Sequence, residues 1–293
     1  MTENTHRPRR SCLYMPASNT RALEKAKSLP ADTIIFDLED AVAPEAKAAA
    51  RSQACAAVTS GAYGPRELVV RINGMDTDWF ADDLKQVCAS GADAVLVPKI
   101  QNAADIVALT DFMEDADTGL ETKLWAMIEM PLAVLHIGGI AAQAARGRLA
   151  AFVMGFNDLA KEMRAEQDRA LFTPAMAQTV MAARAHGMAV LDSVYNDFRD
   201  PEGLEAECLQ GRKYGFDGKT LIHPSQIDIA NRVFAPGEEQ IAEARAIVAA
   251  FADPANAGKG VITVDGKMTE ILHLRQAEQT LAFADMIAAR DAG

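Results

Sequence analysis

The sequence predicts an α/β chain folded as a (β/α)8 TIM barrel with a C-terminal extension of helices and a hairpin. Short apolar, β-branched runs recur eight times along the 293 residues, and amphipathic helical stretches separate most of them. The runs are close to continuously apolar, as strands are in a parallel sheet buried on both faces. A doubly wound open sheet, the other parallel architecture, lacks its markers. No G-x-G-x-x-G follows the first run, and the segment before "GKT" misses the phosphate-loop pattern because Lys213 stands where a glycine is required.

The strands read in order as SCLYMP (11–16), TIIFD (33–37), ELVVRIN (67–73), AVLVPK (94–99), LWAMIEMP (124–131), AFVMGFND (151–158), MAVLDSV (188–194) and GKTLIHP (218–224). Between them lie helix-period stretches such as TRALEKAKSL, DTDWFADDLKQVCAS, AADIVALTDFMED and PAMAQTVMAARAHG. Several of the helical stretches close on a glycine, at Gly91, Gly187 or Gly215. Roughly seventy residues follow the eighth strand, too many for a closing helix alone. They read as a helix (PGEEQIAEARAIVAAFAD), a loop, a hairpin-like stretch (VITVDGKM) and a last helix from about Thr269 to Arg290. The barrel is assigned to residues 1–230 and the extension to 231–293, an appendage expected to cover a site or contact a neighbour.

Composition excludes several classes. A net charge of −12 argues against non-specific nucleic-acid binding. No run approaches the ~18 apolar residues of a membrane span, and the opening MTENTHRPRR lacks the apolar core of a signal peptide. The four cysteines, Cys12, Cys55, Cys88 and Cys208, are spaced neither for zinc nor as a disulfide scaffold. A cytoplasmic protein is the expectation, with Cys12 a small core residue on the first strand.

In such a barrel the active groups belong at the carboxyl ends of the strands. Strand two runs into Asp37, Glu39 and Asp40, strand three carries Arg71, and strand four ends in Lys99. Strand five ends in Glu129-Met130-Pro131, strand six in Asn157-Asp158 and strand eight in His223-Pro224. Singly, each reads as a loop charge or a cap, as Asp158 does for the helix after it. Together at one mouth they read as a site.

Glu129 and Asp158 end strands that lie about 4.8 Å apart in a sheet. Two carboxylates that close need a shared proton or an intervening cation. With no cysteine or histidine in the set, the ligands are all oxygen, which favours Mg²⁺ over Zn²⁺, with Mn²⁺ as its substitute. Arg71 is expected to grip a substrate carboxylate or steady a developing oxyanion, to pair with Asp37 or Glu39, or both. Asp37 and Glu39 are grouped with Arg71 as catalytic, orienting it together with Lys99 and metal-bound water. Lys99 and Pro131 are expected beside the substrate. A Schiff base on Lys99 is disfavoured, since neighbouring carboxylates raise a lysine's pKa. His136 and His186 read as satisfied or exposed, and His223 either as near the ligand or as orienting backbone. No G-x-S-x-G elbow supports a serine hydrolase.

The segments RRSCLYMPASN, FDLEDAV, VRINGMDT, VPKI, AMIEMP, GFNDLAKEM, GFDGKTLIHPSQI and VDGKMTE carry a resemblance over nearly the whole chain. It resembles the citrate lyase β-subunit-like branch of the HpcH/HpaI aldolase superfamily, which includes malyl-CoA and citramalyl-CoA lyases. The resemblance implies a (β/α)8 barrel, Mg²⁺ on Glu129 and Asp158, and Arg71 at the substrate's carboxylate. It also implies that Arg10, Tyr14 and Lys25 lie near the CoA moiety. It implies a homotrimer or trimer-based hexamer whose C-terminal segment covers a neighbour's site. In the lyases that segment delivers a proton-exchanging aspartate, and Glu270, one methylene longer, takes its place here.

The implied reaction is retro-Claisen cleavage of malyl-CoA, β-methylmalyl-CoA or citramalyl-CoA. A misplaced proton donor costs carbon protonation dearly, which leaves (3S)-malyl-CoA thioester hydrolysis as the alternative. A lesser alternative is the β subunit of a citrate-lyase-type complex working on an acyl-carrier thioester.

Overall fold

In the computed structural model, which describes residues 7–116 and 122–291, eight parallel strands close into a barrel in chain order. The first half runs β1 (Ser11–Pro16), α1 (Thr20–Ala26), β2 (Thr33–Asp37), α2 (Lys47–Thr59), β3 (Glu67–Arg71), α3 (Phe80–Ser90), β4 (Ala94–Val97) and α4 (Ala103–Ala116). The second half adds β5 (Lys123–Ile128), α5 (Pro131–Leu135), α6 (Ile137–Ala142), β6 (Leu149–Met154), α7 (Phe156–Met163), α8 (Thr173–Ala185), β7 (Ala189–Asp192), α9 (Pro201–Tyr214), β8 (Gly218–Leu221) and α10 (Ile227–Phe234). β1 pairs with β8 to close the ring.

The strands carry apolar residues on both faces because both are buried. Ile35 joins Cys12, Val69, Leu96, Trp125 and Val153 in the barrel interior. Its neighbours Ile34 and Phe36 join the larger layer between sheet and helices. The amino end of the barrel is closed by charge. Buried Arg9 donates to Glu67 through Nε and Nη2, both at 2.7 Å, and its guanidinium lies 5.2 Å from the Trp125 ring centroid. β8 starts on Gly218 because the first strand's lead-in passes against it; a Cβ there would lie 1.8 Å from the Arg9 carbonyl oxygen.

A second buried ion cluster ties the helix layer to the sheet. Arg169, which opens a short 3-10 helix between α7 and α8, donates to both Asp192 oxygens at 3.0 and 2.8 Å. Lys219 Nζ lies 3.0 Å from the same carboxylate and 2.9 Å from Glu207 on α9. Asp192 and Lys219 have no exposed surface.

Six of the eight strands, β3 to β8, end before the stretches read for them, and in two this moves a charged residue. β4 stops at Val97, so Lys99 stands beyond it. β6 stops at Met154, and Gly155 caps α7, so Asp158 sits in the first turn of a helix and not on a strand end. A short apolar run does not say whether its last residues are strand or helix, and Phe156 is buried as the opening residue of α7.

The barrel unit runs from Arg9 to Phe234, and the second unit takes up the chain from Ala235. That unit contains α11 (Glu238–Ala252), an antiparallel hairpin of β9 (Val261–Val264) and β10 (Lys267–Glu270), and α12 (Ile271–Asp291). The last helix starts at Ile271, because Thr269 and Glu270 pair with Ile262 and Val261 in the hairpin. Among the described residues no helix is long and apolar enough to cross a membrane.

Asp192→Ala is expected to lower stability by about 3 kcal/mol, since it strands buried Lys219 and Arg169 charge. Urea denaturation followed by circular dichroism measures it.

Candidate active site

A cavity of about 340 Å³ opens among the carboxyl ends of the strands. Tyr14, Pro16, Asp37, Asp40, Arg71, Met127, Glu129, Asn157, Asp158 and Ser193 are among its lining residues. One half of the wall is ionic and the other apolar, with Met154, Phe156, Val194 and Ile222 supplying much of the apolar part.

Arg71 organises the ionic half. Its Nε and Nη2 donate to the two Asp37 oxygens, both at 2.7 Å, in a forked pair. Nη1 lies 3.0 Å from Glu39 and 3.4 Å from Asp40, and the Tyr14 ring centroid is 4.8 Å from the guanidinium carbon. Asp37 also accepts the backbone N–H groups of Glu39 at 2.9 Å and Ala41 at 3.2 Å. Burial alone would raise its pKa, but Arg71 holds it below the ordinary carboxylate value. Asp37 is thus saturated: it has no acceptor site left for a reacting group and acts through Arg71. The two-bond grip on a substrate carboxylate expected of Arg71 is already taken by Asp37, which leaves Arg71 a smaller share to offer the cavity.

Lys99 Nζ lies 2.7 Å from Glu39 Oε1, so Glu39 bridges two cations. Burial pushes the Glu39 carboxyl up against the pull of Arg71 and Lys99. The Lys99 ammonium is held up by Glu39 in spite of its partial burial, which is unfavourable for a Schiff-base lysine. Lys99 does not line the main cavity; it faces a neighbouring recess of about 280 Å³ with Lys47 and Trp79.

Glu129 follows β5 directly and is 1 % exposed. Its Oε1 accepts the Lys99 backbone N–H at 2.8 Å. Burial, reinforced by the Glu39 charge, pushes its carboxyl up to about 8. Glycine at 155 is what makes room for it: a Cβ there would stand 2.5 Å from Glu129 Oε2 and 2.7 Å from its Cβ. Ser193 Oγ accepts the Phe156 N–H at 3.0 Å and so pins the start of α7, which carries Asp158 into the same cavity. Among the described residues no group of three or more His, Cys, Asp or Glu is placed to hold a metal. Two carboxylates with water completing the shell are what Mg²⁺ commonly takes, so Glu129 and Asp158 fit that ion. The raised Glu129 carboxyl marks a charge that a cation would offset.

Other expected residues lie elsewhere. Arg10 is buried at the opposite, amino-terminal end of the barrel, where its side chain donates to Asp32 at 2.8 and 2.9 Å. A residue preceding a parallel strand falls at that end, so Arg10 is a fold-holding cation and not a lining residue. Lys25 is exposed in the last turn of α1, and half-buried Pro131 opens α5; neither lines the cavity. Glu270 is exposed at the end of β10 in the second unit, where its N–H donates to His273 Nδ1 at 2.9 Å. His223 stacks on Phe198 with ring centroids 4.6 Å apart and caps the turn at Ser225, which is the backbone-orienting role. Gly155 and Ser193 were not singled out by sequence reasoning. Gly155 precedes a helix that holds a charged residue, but its contact with a side chain from another strand has no local signature.

The model of the HpcH/HpaI aldolase/citrate lyase family matches residues 10–224. A (3S)-malyl-CoA thioesterase of Cereibacter sphaeroides is 48% identical over 291 residues, covering 99% of each chain. An L-malyl-CoA/beta-methylmalyl-CoA lyase of the same organism is 34% identical, covering 97% of this chain and 96% of its own. Among solved structures, the protein CitE from Mycobacterium tuberculosis, in complex with magnesium, acetoacetate and coenzyme A, superposes with a TM-score of 0.74 at 29% identity. That match covers 94% of this chain and 97% of the other.

Two outcomes test this geometry. In the metal-free native protein Glu129 keeps its proton up to about pH 8, whereas in the unfolded chain it ionises from its ordinary value of 4.5. Over that window the unfolded chain binds fewer protons, so Glu129 makes stability fall as pH rises. Glu129→Gln, which does not titrate, is expected to remove a few kcal/mol of that fall (about one kcal/mol per pH unit or slightly more); urea titrations in EDTA across the window compare the two. Gly155→Ala is expected to displace the Glu129 carboxylate and weaken Mn²⁺ binding about tenfold or more with the barrel still folded, as read by electron paramagnetic resonance and circular dichroism.

Proposed function

The chain belongs to the HpcH/HpaI aldolase/citrate lyase family and is an enzyme of lyase or CoA-thioester hydrolase type, and from there we propose that it hydrolyses the thioester of (3S)-malyl-CoA. The observation that carries this is the end-to-end 48% identity with a (3S)-malyl-CoA thioesterase, against 34% with the lyase. The sequence alone ranks carbon–carbon cleavage first and hydrolysis second; the identity margin reverses that order.

In hydrolysis a water oxygen bonds to the thioester carbonyl carbon, the carbon–sulfur bond breaks, and CoA leaves as the thiol with malate as the other product. Glu129 and Asp158 are the residues that would hold Mg²⁺, which when bound acts as a Lewis acid and lowers the pKa of its water. Arg71, clamped from behind by Asp37, turns its remaining N–H capacity and its charge toward the substrate's free carboxylate. Tyr14 stays protonated, since burial lifts its phenol above the ordinary value, and supplies a neutral donor at the cavity wall. Met154, Phe156 and Ile222 seat the carbon skeleton and limit access of bulk water.

The carbon–carbon lyase reading remains as the second one, supported by the lyase relative and by a cavity whose residues serve either reaction. In that reading Glu270 is the proton donor to the departing carbon. The division of labour is also proposed: the barrel carries the metal and substrate, and the C-terminal segment covers the site of a neighbouring subunit in a homotrimer or trimer-based hexamer. Exposed Val261, Met268, Ile271 and Leu272 give that segment an apolar surface suited to a second copy. The same reading takes the enzyme as cytoplasmic, in keeping with four free cysteines.

Incubated with Mg²⁺ and (3S)-malyl-CoA, the protein is expected to release free CoA and malate without glyoxylate, and to lose about a thousandfold in kcat/KM on Glu129→Gln. Glyoxylate with acetyl-CoA would instead establish the lyase.

A further inference from the structure

Lys99 adopts a left-handed backbone, φ 58°, a region that a residue with a side chain enters only under strain. Such strain persists only where the surroundings over-determine it, and here both ends of the residue are engaged. The backbone N–H donates to Glu129 Oε1 at 2.8 Å. The ammonium donates to Glu39 Oε1 at 2.7 Å, and the other Glu39 oxygen lies 3.0 Å from Arg71 Nη1. The side chain faces the smaller recess and not the substrate cavity.

We infer that Lys99 is a positioning residue with two separable arms, its backbone aiming the metal-holding Glu129 and its ammonium aiming Arg71 through Glu39. An extended backbone at this position would change the direction of the side chain and following chain relative to the N–H, so that one residue could no longer serve both contacts. The left-handed turn satisfies that carboxylate and still leaves the side chain free to reach Glu39 on the neighbouring loop. The ammonium also offsets the Glu39 charge, so that Arg71 is not left to balance Asp37 and Glu39 alone. Glu129 is therefore met by a neutral donor and Glu39 by a cation, both from one residue.

The inference rests on the proposed metal and thioester site, and its test separates the two. Wild-type protein is first titrated with Mn²⁺ by electron paramagnetic resonance and assayed with (3S)-malyl-CoA; failure there overturns the proposed function. Four variants then address Lys99. Lys99→Met keeps the N–H and loses the charge: its Mn²⁺ Kd is expected to stay within about threefold of wild type while kcat/KM falls about 10–100-fold, mainly through KM, the range of one charge-assisted hydrogen bond. Lys99→Arg is expected to recover most of that loss. Lys99→Gly, at ease in the left-handed region, is expected to retain Mn²⁺ affinity, whereas Lys99→Val, which resists it, raises the Kd about fivefold or more. Equal Mn²⁺ affinities for the Gly and Val variants overturn the backbone arm whatever the substrate proves to be. A Met variant with kcat/KM within about threefold of wild type, or with Mn²⁺ affinity lost, overturns the side-chain arm.

Discussion

A carboxyl group at the mouth of this barrel is placed where water cannot solvate its charge, and much of the surrounding structure answers to that cost. Glu129 is buried against the backbone of Gly155, and no described cation lies within ion-pairing distance of it. In the nearest ionic system Arg71 and Lys99 balance Asp37 and Glu39, so no cation there is left over for Glu129. Stable folding with Glu129 in this position requires a proton or a cation on it. The strained backbone of Lys99, the glycine that opens α7 and the Ser193 bond to Phe156 all fix that carboxylate or the helix facing it. The fold keeps one charge unsatisfied while it satisfies its neighbours.

Much of this arrangement was legible in the sequence, because strand ends in a parallel barrel converge and their polar residues therefore meet. Asp37, Arg71, Glu129 and Asp158 could be gathered from four distant segments on that rule alone, and all four line one cavity. What the rule does not resolve is which end of a strand a flanking charge occupies once the strand's limits blur. Arg10 precedes β1 and so falls at the closed end with Asp32. Lys99 follows β4 but turns behind the wall. Asp158 reaches the cavity from a helix, since the apolar stretch before it changes from strand to helix at Gly155. The contact between Gly155 and Glu129 depends on two chains of atoms meeting at van der Waals range, and no spacing in the sequence encodes it. Saturation of Asp37 by four donors is equally invisible, because two of them are backbone groups of its own loop.

Hydrolysis and carbon–carbon cleavage place different demands on one scaffold. Both need the acyl carboxylate held and the thioester carbonyl polarised, and under the proposed reading Arg71, Glu129 and Asp158 serve those shared needs. Only cleavage requires an acid aimed at a carbon atom. The resemblance puts Glu270 where the lyases carry an aspartate, and under the proposed reading that difference falls on this requirement. Under the proposed reading, reaction choice is set outside the barrel by the reach of one side chain, while binding and polarisation stay with the barrel. That division is physically economical: a proton donor displaced by about an ångström loses its effectiveness, whereas a water is free to find its own position.

The Arg9–Glu67 plug beneath Trp125 has a bearing on traffic. Side chains fill the barrel's interior and that ion pair closes its amino end, so the cavity has no passage through the barrel axis. A ligand cannot thread through the barrel; whatever enters at the carboxyl ends of the strands must depart by the same route. Each turnover is then a there-and-back journey in which a lingering product obstructs its successor. Clearance of that end, set by how loosely the spent pieces are held, belongs among the steps that govern throughput alongside the bond-breaking event itself.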